Sequence, residues 1–233
     1  MASKLVVANW KLHKTLAESL GWLERLRGLL PRSLPGGEMV ICPPAPCLAP
    51  LKELLVKYSW EAAMAFGAQD VSQFVEGEYT GEIGVRQLAD WVKYVIVGHS
   101  ERRRFFGETN DSVNKKVLQC QEYDLIPIVC VSDFSQVASL PSVTTPGKPL
   151  VVAYEPLGAI GTGRSEDPQV TENMAEKVKA LLPGVRVLYG GSVSPVNAAV
   201  FAGLPHVDGL LVGGASLAAE EFWEILKVVY ALR

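Results

Sequence analysis

An amide, an ammonium, an imidazole and a carboxylate each stand just past a short apolar run. Asn9 and Lys11 follow residues 5–8, His99 follows residues 94–97, and Glu155 follows residues 150–153. Glu155 can serve as a base while Lys11 and His99 hold the oxygens of an enediolate, which is the equipment for moving a proton next to a carbonyl. Pro156 biases Glu155 toward extended backbone. Gly158, Gly161 and Gly163 then loosen the chain and leave amides able to approach an anion closely. Ser192, after Gly190-Gly191, and the pair Gly213-Gly214 offer further amide-rich turns suited to phosphate. Each residue also has a plain structural alternative. Lys11 could be a solvated charge, His99 a helix cap in an ion-pair cluster with Glu101, Arg102 and Arg103, and the glycine pairs ordinary turns. The chemical reading rests on joint placement.

Joint placement requires a scaffold that brings several strand ends to one face. Eight short apolar runs, at residues 5–8, 39–42, 63–68, 94–97, 126–131, 150–153, 185–188 and 209–212, read as strands buried on both sides. Helical patterns separate most of them. Thr15 with Glu18 makes a capping box ahead of Leu16, Leu20, Leu23, Leu26 and Leu30, and Pro31 ends that element. Helices are also expected near residues 46–58, 85–91, 113–120, 168–181, 195–202 and 217–232. The connection over residues 132–148 can hold little more than a brief helix, and a polar turn separates Gly98-His99-Ser100-Glu101 from the helix marked by Val113. Alternation with short connections predicts parallel βα units. Eight of them in one chain of this length predict an α/β fold, a closed (β/α)₈ barrel forming one domain over residues 1–233, with its site at the strand C-terminal ends. A doubly wound open sheet is the rival, but it favours a glycine-rich turn after the first strand, and here that turn is Asn-Trp-Lys.

Composition narrows the classes. With 48% hydrophobic residues and a formal net charge of −3, the chain can fill a large core and has no bulk field for nucleic acid. The apolar run after Lys4 is too short for a signal-peptide core, and the apolar segment 39–51 carries four prolines and falls short of a membrane span. Four cysteines without CxxC spacing fit a reduced, cytoplasmic protein. His13 and His206 have no metal-ligand spacing with their neighbours and read as structural.

Six stretches together resemble the triosephosphate isomerase family: Asn9-Trp10-Lys11, residues 77–82, residues 98–103, Tyr154-Glu155-Pro156 with residues 159–163, residues 189–193, and residues 209–214. The resemblance covers essentially the whole chain. It implies a homodimeric barrel that interconverts dihydroxyacetone phosphate and glyceraldehyde 3-phosphate without metal or cofactor, with Glu155 as base, His99 as a neutral imidazole polarising the carbonyl, and Lys11 as the cation on the oxyanion. Asn9 would touch substrate oxygens, and amides at Gly161, Ser192, Gly213 and Gly214 would bind the phosphate. The long loop from Gln69 to Glu82 would enter a neighbouring subunit, with Thr80 at its tip. A helix N-terminus at His99 is expected to lower its pKa and keep it neutral. Several features depart from the family pattern: Glu78 stands in the long loop where a small residue is common, and the connection over residues 132–148 is short. Gly158 stands where the lid usually has Trp, and Asp133 closes strand five where Glu is usual. A catalytically impaired phosphate-binding homologue and another sugar-phosphate isomerase or epimerase are the alternative functions.

Overall fold

The computed structural model describes residues 3–31, 37–60, 62–158 and 165–231. Eight strands close into a barrel in sequence order: β1 (Lys4–Asn9), β2 (Gly37–Cys42), β3 (Met64–Ala68), β4 (Tyr94–Val97), β5 (Ile126–Val131), β6 (Val151–Tyr154), β7 (Arg186–Tyr189) and β8 (Gly209–Val212). All neighbours are parallel, and β1 closes the ring by pairing Leu5 with Gly209 and Ala8 with Val212. The expected (β/α)₈ barrel is therefore the observed fold.

Strand parity explains how the barrel carries a site. Side chains alternate between the two faces of a strand. Leu5 and Val7, Tyr94 and Ile96, Ile128 and Cys130, Val151 and Ala153 form an inner cluster, while their neighbours Val6, Val95, Val129 and Val152 pack outward into the layer shared with the helices. Continuing the inner parity by one step brings Asn9 on β1 and Glu155 beyond β6 to the barrel mouth. A one-residue slip would turn both into the helix layer.

Helices α1 (Leu16–Leu29), α2 (Leu48–Lys57), α3 (Val85–Leu88), α4 (Ser100–Phe106), α5 (Asn110–Glu122), α6 (Phe134–Ala138), α7 (Pro168–Leu181), α8 (Ala198–Ala202) and α9 (Ala219–Tyr230) surround the strands. The capping box of α1 forms as expected: the Glu18 amide donates to Thr15 Oγ1 at 3.3 Å and the Thr15 amide to Glu18 Oε2 at 2.7 Å. Its buried face is Ser19, Trp22, Leu23 and Leu26, whereas Leu16 is 42% exposed. Two expectations need correction. α3 ends at Leu88 rather than near Trp91, and the helical start expected at His99 does not give way to a polar turn but runs on as the seven-residue helix α4. α4 lacks apolar periodicity because ion pairs hold it instead. Arg102 Nε reaches Asp70 at 2.9 Å and Glu108 at 2.5 Å, and the buried Lys116 ammonium bonds Asp70 at 2.7 Å and also Glu108.

Candidate active site

The turn after β1 opens the site. Asn9 is buried and its Oδ1 accepts the Lys11 amide at 3.0 Å, which stabilises Lys11 in a left-handed conformation, φ 53°. The Lys11 ammonium pairs with Glu101 Oε1 at 2.6 Å.

The turn after β4 supplies the imidazole. Gly98 has φ 67°, and a Cβ there would come within 2.8 Å of Val113 Cγ2 and 2.9 Å of Arg103 Nη2, so only glycine suits this bend. His99 follows as the N-cap of α4, and its Nδ1 accepts the Glu101 amide at 3.2 Å. That hydrogen bond leaves the remaining ring proton on Nε2, which faces Glu155 Oε1 at 3.0 Å.

Glu155 is 2% exposed and tied from three sides. Its amide donates to Val131 O at 2.7 Å, and the Ser100 amide donates to Oε2 at 3.0 Å. Burial pushes the Glu155 carboxyl up, but His99 and the Ser100 donors outweigh it and hold the pKa below the usual carboxylate value. Its surroundings favour the ionised carboxylate. For His99, burial lowers the pKa, yet the carboxylate of Glu155 more than offsets it, with Glu101 adding to the rise. The expected lowering at His99 is thus reversed by direct contact with Glu155. The neutral tautomer follows from the Glu101 amide on Nδ1 instead.

A cavity of about 320 Å³ joins these groups to the amide-rich turns. Asn9, Lys11, His99 and Glu155 line one side, and Gly190 to Ser192, Gly213 and Gly214 the other. Gly190 passes so close that a Cβ would lie 3.0 Å from Glu155 Cγ. A 3₁₀ turn, Gly214–Ser216, follows Gly213, and Ser216 donates both its amide and its hydroxyl to Gly213 O, at 2.8 and 2.7 Å. Asn197 Nδ2 donates to Ser192 O at 2.8 Å and its Oδ1 accepts the Ser194 amide at 2.8 Å, shaping the other turn. Gly161 lies outside the described residues, as do residues 159–164. Just beyond them, the Glu166 amide donates to Tyr189 Oη at 3.1 Å.

The sequence singled out seven of these residues that now share one cavity, but not the roles of four others. Glu101 figured only as part of a charge cluster, although it anchors both Lys11 and His99 Nδ1. Ser100 contributes a backbone amide, Asn197 braces the Ser192 turn, and Gly190 matters for its lack of a side chain. Asp133 is engaged elsewhere: its Oδ1 accepts Ser135 Oγ at 2.5 Å and the Gln136 amide at 3.2 Å, capping α6. Among the described residues, no three His, Cys, Asp or Glu side chains converge so as to hold a metal ion.

Comparison with known proteins agrees with this geometry. The family model described as triosephosphate isomerase matches residues 4–229. A triosephosphate isomerase of Thermus thermophilus is 41% identical, over 98% of this chain and 99% of its own. Those of Dictyoglomus turgidum and Bordetella pertussis are 37% and 39% identical, over 97% and 96% of this chain and 100% and 96% of theirs. The match runs from β1 into α9 and the relatives align almost end to end with the chain, which therefore belongs to the triosephosphate isomerase family.

Proposed function

We propose that Glu155, His99 and Lys11 carry out the interconversion of dihydroxyacetone phosphate and D-glyceraldehyde 3-phosphate in this isomerase. The Glu155 carboxylate takes a proton from the carbon beside the carbonyl. The released electron pair forms the carbon–carbon double bond of an enediolate, and negative charge moves to the former carbonyl oxygen. His99 Nε2–H and the Lys11 ammonium stabilise that oxygen, and Asn9 orients the substrate. His99 Nε2 gives its proton to that oxygen and takes the proton of the adjacent hydroxyl, so that when Glu155 returns its proton to the former carbonyl carbon the hydroxyl oxygen becomes the new carbonyl. A positioned base typically contributes about 10²- to 10⁴-fold in rate, and placed donors to the oxyanion supply much of the rest. Amides at Gly161, Ser192, Gly213 and Gly214 bind the phosphate. The observation that carries this reading is the 3.0 Å approach of Glu155 Oε1 to His99 Nε2 in the cavity that also holds Lys11.

The same reading extends to assembly and place. The chain acts as one domain and pairs as a homodimer through the loop from Gln69 to Glu82, supported by the exposed apolar residues Phe74, Val75 and Tyr79 on it. A cytoplasmic location is supported by four free, buried cysteines. Among the described residues, no helix is long and apolar enough to cross a membrane.

A coupled assay with D-glyceraldehyde 3-phosphate tests the function. Turnover in both directions, with glyceraldehyde lacking phosphate converted far more slowly, is the expected result. Phosphate binding without turnover would favour the impaired homologue, and an epimerised product another sugar-phosphate enzyme.

A further inference from the structure

The 3₁₀ turn Gly214–Ser216 is too short to keep its shape alone, because a single turn fixes several residues for very few hydrogen bonds. Two donors from one neighbouring segment hold its C-terminal carbonyls. Lys14 Nζ donates to Leu217 O at 2.7 Å, and the buried Trp22 indole donates to Ser216 O at 3.1 Å. Lys14 reaches Leu217 from a left-handed backbone, φ 74°, a conformation disfavoured for a residue with a side chain. Its ammonium also lies 5.2 Å from the centre of the Trp10 ring. Lys11, three residues earlier, is left-handed too, and its Cε lies 3.4 Å from where a Cβ on Gly213 would stand. One loop thus presents the cation of the site and grips the turn that faces it.

We infer that Lys14 is a positioning residue for phosphate: with Trp22 it locks the Gly214–Ser216 turn at the spacing from Lys11 that the substrate phosphate requires. This rests on the phosphate reading of the cavity given above. Lys14 is not among the residues that line that cavity, so it acts through the turn. Releasing the turn weakens a contact made alike in the ground and transition states, and leaves Glu155 and His99 in place. Such a loss appears in KM more than in kcat.

The test is steady-state kinetics with inorganic phosphate as inhibitor. Lys14→Met keeps the aliphatic stem over Trp10 and removes the donor, Lys14→Arg restores a donor, and Trp22→Phe removes the indole N–H. In Lys14→Met, KM and the phosphate inhibition constant should rise together, about tenfold, while kcat changes by less than about threefold. Trp22→Phe should move both constants the same way, and Lys14→Arg should recover most of the loss. Unchanged phosphate inhibition in Lys14→Met and Trp22→Phe overturns the inference, as does a fall in kcat without a change in phosphate inhibition. If phosphate does not compete with substrate in the unaltered protein, the phosphate reading fails and the inference falls with it. If it competes there and equally well in Lys14→Met, only the role of Lys14 falls.

Discussion

Gly190→Ala should slow catalysis by up to about tenfold without removing a charged group. A Cβ at this position would lie 3.0 Å from Glu155 Cγ and 3.3 Å from Tyr154 O. Carbon atoms prefer about 3.5–4.0 Å, so one partner must give by a few tenths of an ångström, up to about 0.5 Å. Tyr154 O accepts the Gly190 amide at 2.8 Å and belongs to the barrel wall, so the displacement falls on Glu155. That side chain is buried and bonded through both oxygens, so moving Cγ also moves the carboxylate. A misplacement of about 1 Å costs about 100-fold, so half of it should cost about tenfold in kcat, or about 1.4 kcal/mol. Overpacking adds about 1–3 kcal/mol of lost stability, which still leaves a folded barrel to assay. The coupled isomerase assay, run beside a thermal melt, reads both effects. A folded Gly190→Ala protein with kcat within twofold of the unaltered enzyme would refute the claim that Gly190 sets the place of the base.

Two further expectations concern assembly and acid stability. Thr80→Arg should shift the protein toward monomer and depress activity; unchanged mass by light scattering, with full activity, would remove this loop from the interface. At the opposite barrel end, burial raises the Glu38 carboxyl, but hydrogen bonds from Tyr94, Arg186 and Lys93 bring it down to about 2. A carboxylate depressed on folding contributes stability that is present above its unfolded pKa of about 4.3 and is lost as pH falls toward the folded value. Glu38→Gln should therefore flatten the loss of stability between about pH 4.3 and pH 2; a denaturant midpoint that falls as steeply with pH in the variant would contradict it.

The strands were legible because a parallel barrel buries both faces of each, leaving short continuous apolar runs such as those at β4 and β6. Placing Asn9, His99 and Glu155 at strand ends then brought them to one mouth. The start of α4 at His99 was legible but its length was not, since its contacts are ion pairs to Asp70 and Glu108 that are distant along the chain or hidden in a polar run. Glu101 escaped for a related reason: Lys11, on the turn after β1, meets its carboxylate only after the barrel closes, although its amide bond to His99 Nδ1 is local. The electrostatics of His99 misled because a helix N-terminus is local, whereas the opposing carboxylate comes from β6, across the barrel. Gly190 is a negative feature, the lack of a Cβ beside Glu155, and no residue pattern announces it. The Asp133 position signalled a departure, and its physical content is the capping of α6.

The central claim is that the Glu155 carboxylate moves the proton. Glu155→Gln keeps the side chain's length and an oxygen for the Ser100 amide while removing the base. Measured in both directions with triose phosphates, kcat should fall by at least about 10²-fold, toward 10⁴-fold, while inorganic phosphate still competes with substrate. Turnover within tenfold of the unaltered enzyme would contradict the account.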